Sequence, residues 1–282
     1  DSPMKDHPLT PMHDASVPRM IEQQGQGTAK AITYQTIEQG EQVLANTLTA
    51  QAKQHQYLVM DSLNEQHLAT IGKCLKPFPL ITGGSGLAQF LGDEYRTLRN
   101  IEKCSNNTIK KIAAATLVLS GSCSAMTQKQ VASYSQHHPV LTLNIEKLVS
   151  GEQTLASIMQ WLASVKSQAP LITATAPPSE IQANQHNYGR EYVAELFEQM
   201  FSSLAVAANE TLGVQNFIVA GGETSGAVVK ALNVEAFYIG NTIAPGVPMV
   251  QTMGEKPINL ALKSGNFGDE HFFQQALEAL SA

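Results

Sequence analysis

The stretch Phe217-Ile-Val-Ala-Gly-Gly-Glu-Thr-Ser-Gly-Ala-Val-Val-Lys-Ala-Leu232 decides the fold. Its first four residues read as a short buried strand, Gly221-Gly222 as a turn, and the rest as a helix ending at Leu232. A strand running through a glycine turn into a helix is the joint of a parallel sheet covered by helices. The same joint occurs at Ala113-Ala-Ala-Thr-Leu-Val-Leu119 followed by Ser120-Gly-Ser-Cys-Ser124, and at Phe78-Pro-Leu-Ile-Thr82 followed by Gly83-Gly-Ser-Gly86.

Outward from these joints the alternation continues. Ala29–Tyr34, Tyr57–Asp61, Val140–Leu143 and Pro170–Thr175 are expected strands. Expected helices cover Glu38–Gln54, Asn64–Cys74, Leu155–Val165, Tyr188–Asn209 and Asp269–Leu280. Within Tyr188–Asn209, Val193, Leu196, Phe197, Met200 and Leu204 recur at helical spacing, which makes that stripe core. The span Glu235–Gly268 reads as strands and glycine turns. Polar residues Thr97–Lys110 read as a linker. The expectation is an α/β protein of two domains, mostly parallel sheets covered by helices, with residues 1–108 and 109–282 as the two parts.

Composition sets limits. The 282 residues are 43% hydrophobic and 15% charged, enough to bury a sizeable core. A net charge of −6 leaves no basic surplus for a protein that binds nucleic acid mainly through phosphates. No apolar run reaches the roughly 18 residues of a membrane span, and no signal-peptide pattern opens the chain. Cys74, Cys104 and Cys123 form neither a metal spacing nor an even disulfide set, so a reducing cytoplasm is expected.

The turns carry the chemistry. First-turn N–H groups of a helix lack intrahelical partners, and the helix dipole favours an anion there. Glycine admits close approach of a phosphate, and Ser or Thr hydroxyls add donors. In an open α/β sheet such turns lie at the carboxyl ends of the strands, where ligands bind. Neither the G-x-x-x-x-G-K-[ST] nor the G-x-G-x-x-G fingerprint is present. Glu223 could hold Mg²⁺ and Thr224 could bond a phosphate oxygen, or both could simply cap the helix that begins there. Gly240–Pro248 and Ser264–Gly268 could wrap a nucleoside or form tight turns at a sheet edge. His137 and His138 read as solvated at a helix end, and His186 as part of a polar loop. Asp6-His7-Pro8-Leu9-Thr10-Pro11 is a rigid polar segment of the kind that often carries function.

Six motifs in order give a resemblance: Asp6-His-Pro-Leu-Thr-Pro-Met12, Gly83-Gly-Ser-Gly-Leu-Ala88, Ser120-Gly-Ser-Cys-Ser124, Gly221-Gly-Glu-Thr-Ser-Gly226, Pro245-Gly-Val-Pro248 and Ser264-Gly-Asn-Phe-Gly268. Together the chain resembles the four-carbon acid sugar kinases, in their 3-oxo-tetronate kinase branch. The resemblance implies ATP-dependent phosphorylation of the terminal hydroxyl of a four-carbon acid sugar. It implies an acid-sugar-binding domain followed by a C-terminal nucleotide-binding domain.

ATP contacts would fall on Ser120, Ser122, Gly221, Gly222, Glu223, Thr224 and Gly265, with Mg²⁺ near Glu223. The sugar would meet His7, Gly83, Gly84 and Ser85, and Asp6 and Asp61 are candidates for the base. The expected partners are the acid sugar and ATP, without nucleic acid or membrane, and a homo-oligomer is left open. The family's Asp-Asp-x-Thr-Gly type motif has no counterpart here, so residues preceding Asp1 are expected. The rival expectation is a non-kinase phosphate-ligand protein, such as a sugar-phosphate isomerase or a nucleotide-binding regulatory module.

Overall fold

The computed structural model describes residue 5, residues 11–99 and residues 109–281. The chain divides into two compact units, Asp1–Lys103 and Cys104–Ala282.

In the first unit, α1 (Val17–Gln24) precedes β1 (Ala29–Ile32), α2 (Tyr34–Glu38), α3 (Glu41–Gln51), β2 (Tyr57–Met60), α4 (Glu65–Cys74) and α5 (Ala88–Arg99). Strands β1 and β2 pair in parallel, with Ala29 opposite Tyr57 and Ile32 opposite Met60. Ile32, Ile37, Leu44, Leu48, Ile71, Cys74 and Leu75 form the core. The helix expected over Glu38–Gln54 is broken at Gly40, whose φ of 96° lies in the region glycine tolerates best. Asn64 caps α4 by accepting from the His67 N–H at 2.9 Å, a contact of a kind worth about 1 kcal/mol. The strand expected at Phe78–Thr82 does not form. Pro79 removes a ladder donor from the run, and Phe78 N–H is turned back to Leu75 O at 3.0 Å.

The second unit runs β3 (Thr116–Ser120), α6 (Ala125–Tyr134), β4 (Val140–Thr142), α7 (Ile145–Ser150), α8 (Leu155–Val165) and β5 (Leu171–Thr173). It continues through α9 (Pro178–Tyr188), α10 (Arg190–Leu212), β6 (Asn216–Ala220), α11 (Gly222–Ala231), β7 (Phe237–Ala244), β8 (Val247–Thr252), β9 (Asn259–Lys263) and α12 (Phe272–Leu280). Seven strands form one sheet in the order β4-β5-β3-β6-β9-β8-β7. The first five are parallel, while β8 runs antiparallel to both β9 and β7.

Alternation explains the unbroken apolar strands. Leu117, Leu119, Phe217, Val219 and Leu260 join the core shared with α8, α10 and α11. Val118, Ile218, Ala220 and Ala261 join the core shared with α12 and the Tyr134 end of α6. Strands buried on both faces have no polar face to show. Helix α10 is longer than the apolar stripe alone indicates, and Gly189, at φ 85°, separates it from α9, which contains His186. That histidine is therefore helical, not in a loop.

The Gly240–Pro248 stretch is a hairpin: β7 and β8 meet at Pro245-Gly246, with Gly246 at φ 78°. Of the two expectations for that stretch, the sheet-edge turn is the one found. Among the described residues no helix is long and apolar enough to cross a membrane.

Candidate functional site

Register brings four strand ends abreast. Ser120 pairs with Thr173 on one side and Ala220 on the other, and Ala220 pairs with Lys263. These are the carboxyl ends of β5, β3, β6 and β9, so the turns that leave them share one edge of the sheet. The chain leaves β3 towards β4 and β5 on one side, and returns as β6 on the other. Such a switch in strand order opens a crevice at the carboxyl edge.

Backbone bonds weld the turns together. Gly121 N–H and Ser122 N–H both donate to Ala220 O, at 2.9 and 3.2 Å, and Gly221 N–H donates to Lys263 O at 2.9 Å. Closeness of the β3 and β6 turns depends on glycine at two positions. A Cβ on Gly121 would overlap Thr224 Oγ1 and stand 3.2 Å from Phe201 Cε2. At Gly221, φ is 123°, and a Cβ would stand 3.0 Å from Thr224 Oγ1 and 3.2 Å from Ser122 N.

The two helices that open here differ at their N-termini. Ser124 caps α6, accepting from Thr127 N–H at 3.2 Å. Helix α11 starts at Gly221 without a capping side chain. Its first-turn N–H groups are thus the ones left to an outside acceptor. Glu223 stands in that first turn, exposed, beside exposed Gly222. Thr224 is buried and wedged against Gly121 and Gly221, so its side chain spaces the two turns.

Ser120 is fully buried, with its hydroxyl 3.0 Å from Thr175 Oγ1. Thr175 Oγ1 in turn donates to Ser122 O at 2.8 Å. Ser120 is accordingly part of the floor, and half-buried Ser122 and Ser124 form the rim. Gly265 belongs to the same cluster: its carbonyl accepts from Ser124 Oγ at 2.6 Å, Thr127 Oγ1 at 2.9 Å and Lys263 Nζ at 2.9 Å. A Cβ on Gly265 would stand 2.9 Å from Ser122 Oγ. Gln130 Nε2 holds the same loop through Phe267 O and Asp269 O, at 3.0 and 2.7 Å.

Three contributors escaped the sequence reading. Thr127 and Thr175 are ordinary threonines in a helix and a loop, and only the sheet register makes them neighbours of the glycine turns. Lys263 did leave a signal, as a lysine that follows the apolar run Leu260-Ala-Leu262 immediately before Ser264-Gly265. Burial pushes its ammonium down to about 8 from an ordinary 10.5.

The first unit holds the remaining candidates. Asp61 follows β2, exposed, its N–H bonded to Ile32 O at 3.0 Å. Gly83, Gly84 and Ser85 are exposed at the turn that leads into α5, with open space beside both glycines. Asp6 and His7 lie outside the described residues. His138 stacks on Tyr134, with ring centroids 4.0 Å apart, and lies 2.8 Å from Gln168 O, away from the strand ends. Among the described residues no group of three His, Cys, Asp or Glu could hold a metal. Glu223 therefore fits Mg²⁺ only in company with other oxygens, as that ion commonly takes one carboxylate together with substrate phosphates and water.

An open α/β sheet with glycine and serine turns abreast at its carboxyl edge defines the class of phosphate- and nucleotide-binding domains. Residues 117–273 match the model of a nucleotide-binding C-terminal domain, and residues 1–91 that of a sugar-binding N-terminal domain. A Brucella melitensis protein named 3-oxo-tetronate kinase is 40% identical over 97% of this chain and 63% of its own length. A Salmonella typhimurium protein of the same name is 41% identical over 98% of this chain and 66% of its own length. A crystal structure of a Salmonella typhimurium LT2 protein superposes with a TM-score of 0.78 at 40% identity. It is covered over 67% of its length by all of this chain. A Haemophilus influenzae structure gives 0.67 at 36% identity, over 99% of this chain and 67% of its own. The chain belongs to the four-carbon acid sugar kinase family. It spans 63–66% of the length of these two curated relatives.

Proposed function

We propose that this chain serves an ATP-dependent kinase that transfers the γ-phosphoryl group to the terminal hydroxyl of a four-carbon acid sugar, 3-oxo-tetronate giving 3-oxo-tetronate 4-phosphate. The observation that carries the reading is the row Thr173, Ser120, Ala220 and Lys263, which sets three glycine- or serine-bearing turns side by side at one sheet edge. In this assignment residues 109–282 bind the nucleotide and residues 1–108 contribute to the sugar site. The work is cytoplasmic, in keeping with cysteines that form no disulfide set.

Phosphoryl transfer needs positioning and charge neutralisation more than covalent chemistry. The uncapped first turn of α11, with Gly221 and Gly222, offers backbone N–H groups to phosphate oxygens. The Ser122 hydroxyl adds a donor from the β3 turn, while Ser124, bonded to Gly265 O, keeps the third turn close to it. Glu223 would hold Mg²⁺, which supplies charge neutralisation between the phosphates. Ser120 and Thr224 act through the backbone they support. Gly83, Gly84, Ser85 and His7 are assigned to the acid sugar, and Asp61 or Asp6 to its hydroxyl proton.

The test is Mg²⁺-dependent ATP consumption with a panel of four-carbon sugar acids, run beside ATP calorimetry on the same chain. Turnover with a 3-oxo-tetronate, lost in Glu223→Ala and Gly221→Val, is the expected result. ATP binding without turnover would assign the missing chemistry to sequence outside this chain. Unchanged ATP affinity and turnover in both variants would refute the site assignment.

A further inference from the structure

We infer that Lys263 is a positioning residue of the nucleotide site, a buried cation that latches the β3 and β9 turns into one cradle and draws the nucleotide's polyphosphate to it. The inference rests on the nucleotide-site reading above and adds a residue and a pH dependence to it.

Geometry carries the argument. Lys263 ends β9 in the row of strand ends, only 1% exposed, and its side chain lies on the face covered by α6 and α12. Its Nζ donates to Thr127 Oγ1 at 3.0 Å and to Gly265 O at 2.9 Å, while the ring of Phe272 lies 6.0 Å away. Thr127 Oγ1 passes the contact on to Ser122 Oγ at 3.1 Å, and Ser124 Oγ reaches Gly265 O at 2.6 Å. One ammonium therefore joins the serine rim of β3 to the Ser264-Gly265 turn of β9. These are the turns assigned to the phosphates.

A buried charge ordinarily has an opposite partner, because desolvating an ion alone is costly. Lys263 has none: among the described residues no ion pair includes it, and its two acceptors are neutral. The neighbouring strands β6 and β8 carry no charged side chain. The charged groups of the other elements around it are Lys129 on α6, Glu223 and Lys230 on α11, Asp269, Glu270 and His271 before α12, and Glu278 within it, all exposed. The Asp269 carboxylate accepts from the His271 backbone N–H at 2.9 Å and from Gln275 Nε2 at 3.2 Å. A polyanion bound at the row of strand ends supplies the missing counter-charge. Burial alone brings the free ammonium to about 8. A bound polyphosphate raises it again, since an opposite charge favours the charged form.

The consequence is a proton taken up with ATP. Below about pH 8 the lysine is already charged and affinity is full. Above it, binding must recharge the lysine, so affinity falls with rising pH.

The test is MgATP calorimetry on this chain from about pH 7 to 9.5, in buffers of differing ionisation enthalpy, with Lys263→Met alongside. We expect proton uptake near pH 8.5, and a dissociation constant weaker by roughly tenfold at pH 9.5 than at pH 7. In Lys263→Met, affinity at pH 7 should drop by about tenfold and both pH effects vanish. A structural role alone would lower the variant's stability without abolishing proton uptake. ATP binding with no proton uptake, or an unchanged profile in Lys263→Met, overturns the inference and leaves the nucleotide site standing. No ATP binding at pH 7 overturns the nucleotide-site reading and the inference with it. Should Lys263→Met fail to fold, the proton count on the unaltered chain decides alone.

Discussion

Substituting Gly121→Ala tests whether the close approach of the β3 and β6 turns depends on the absence of a side chain at this position. The added Cβ overlaps Thr224 Oγ1 and approaches Phe201 Cε2 to 3.2 Å and Thr224 Cβ to 3.3 Å. Phe201 is fully buried and Thr224 is 6% exposed, so neither can swing into solvent. Overpacking of this kind costs about 1–3 kcal/mol. A cost of about 2 kcal/mol should lower the melting temperature of the second unit by roughly 4–8 °C.

The sole tryptophan, Trp161 on α8, packs against that unit's core, so its fluorescence reports the transition of the second unit. Because Thr224 opens α11, the displaced turn should also weaken ATP binding, by about tenfold. Adding Thr224→Ala removes the overlapping oxygen. The double variant should then recover about 1 kcal/mol relative to the sum of the single changes, as expected for residues in contact. Additive effects in that cycle, or a Gly121→Ala chain within about 0.5 kcal/mol of the unaltered one, would refute the packing argument.

The titration of Lys263 makes a stability prediction for the ligand-free chain. Its folded value of about 8 lies below the unfolded 10.5, so between these values the unfolded chain binds the extra proton and stability rises with pH. The gain from pH 8 to 10.5 should be about 3 kcal/mol by Trp161-monitored urea unfolding, measured relative to Lys263→Met; parallel profiles for the two chains would contradict it. Tyr134 makes a second case. Burial pushes its phenol well above the usual range, and its hydroxyl donates to Ala169 O at 2.8 Å, on a residue held at φ 49°. Tyr134→Phe should cost about 1 kcal/mol in the same unfolding assay, with ATP affinity unchanged because the pair lies away from the strand ends.

Local chemistry was enough to place most elements. The apolar runs around Leu117, Ile172 and Phe217 announce strands covered on both faces, and glycine or serine after them announces the turns. Helix α8 was legible to its ends, since Thr154 caps it and Val165 closes its apolar face. The run Phe78–Thr82 misled because its composition suits a strand, whereas pairing needs the donor that Pro79 lacks.

The site divided in the same way. Gly221, Gly222, Glu223 and Gly265 are visible because glycine turns after strands have a local signature. The sequence by itself determined the kind of protein this is: an α/β chain with glycine and serine turns after its strands, since strand, turn and helix are each encoded within a few neighbouring residues. Only the tertiary structure decided which turns stand together, that Ser120 lies under the site and Ser122 at its rim, and that Lys263 bridges two of them. Those relations depend on pairing between strands far apart in the chain, as where Ser120 stands beside Ala220, and on contacts such as those of Ser120, Thr127, Gly265 and Lys263, which span 53 to 138 positions. Register is fixed by burial of both sheet faces, a property of the folded whole that no local window contains.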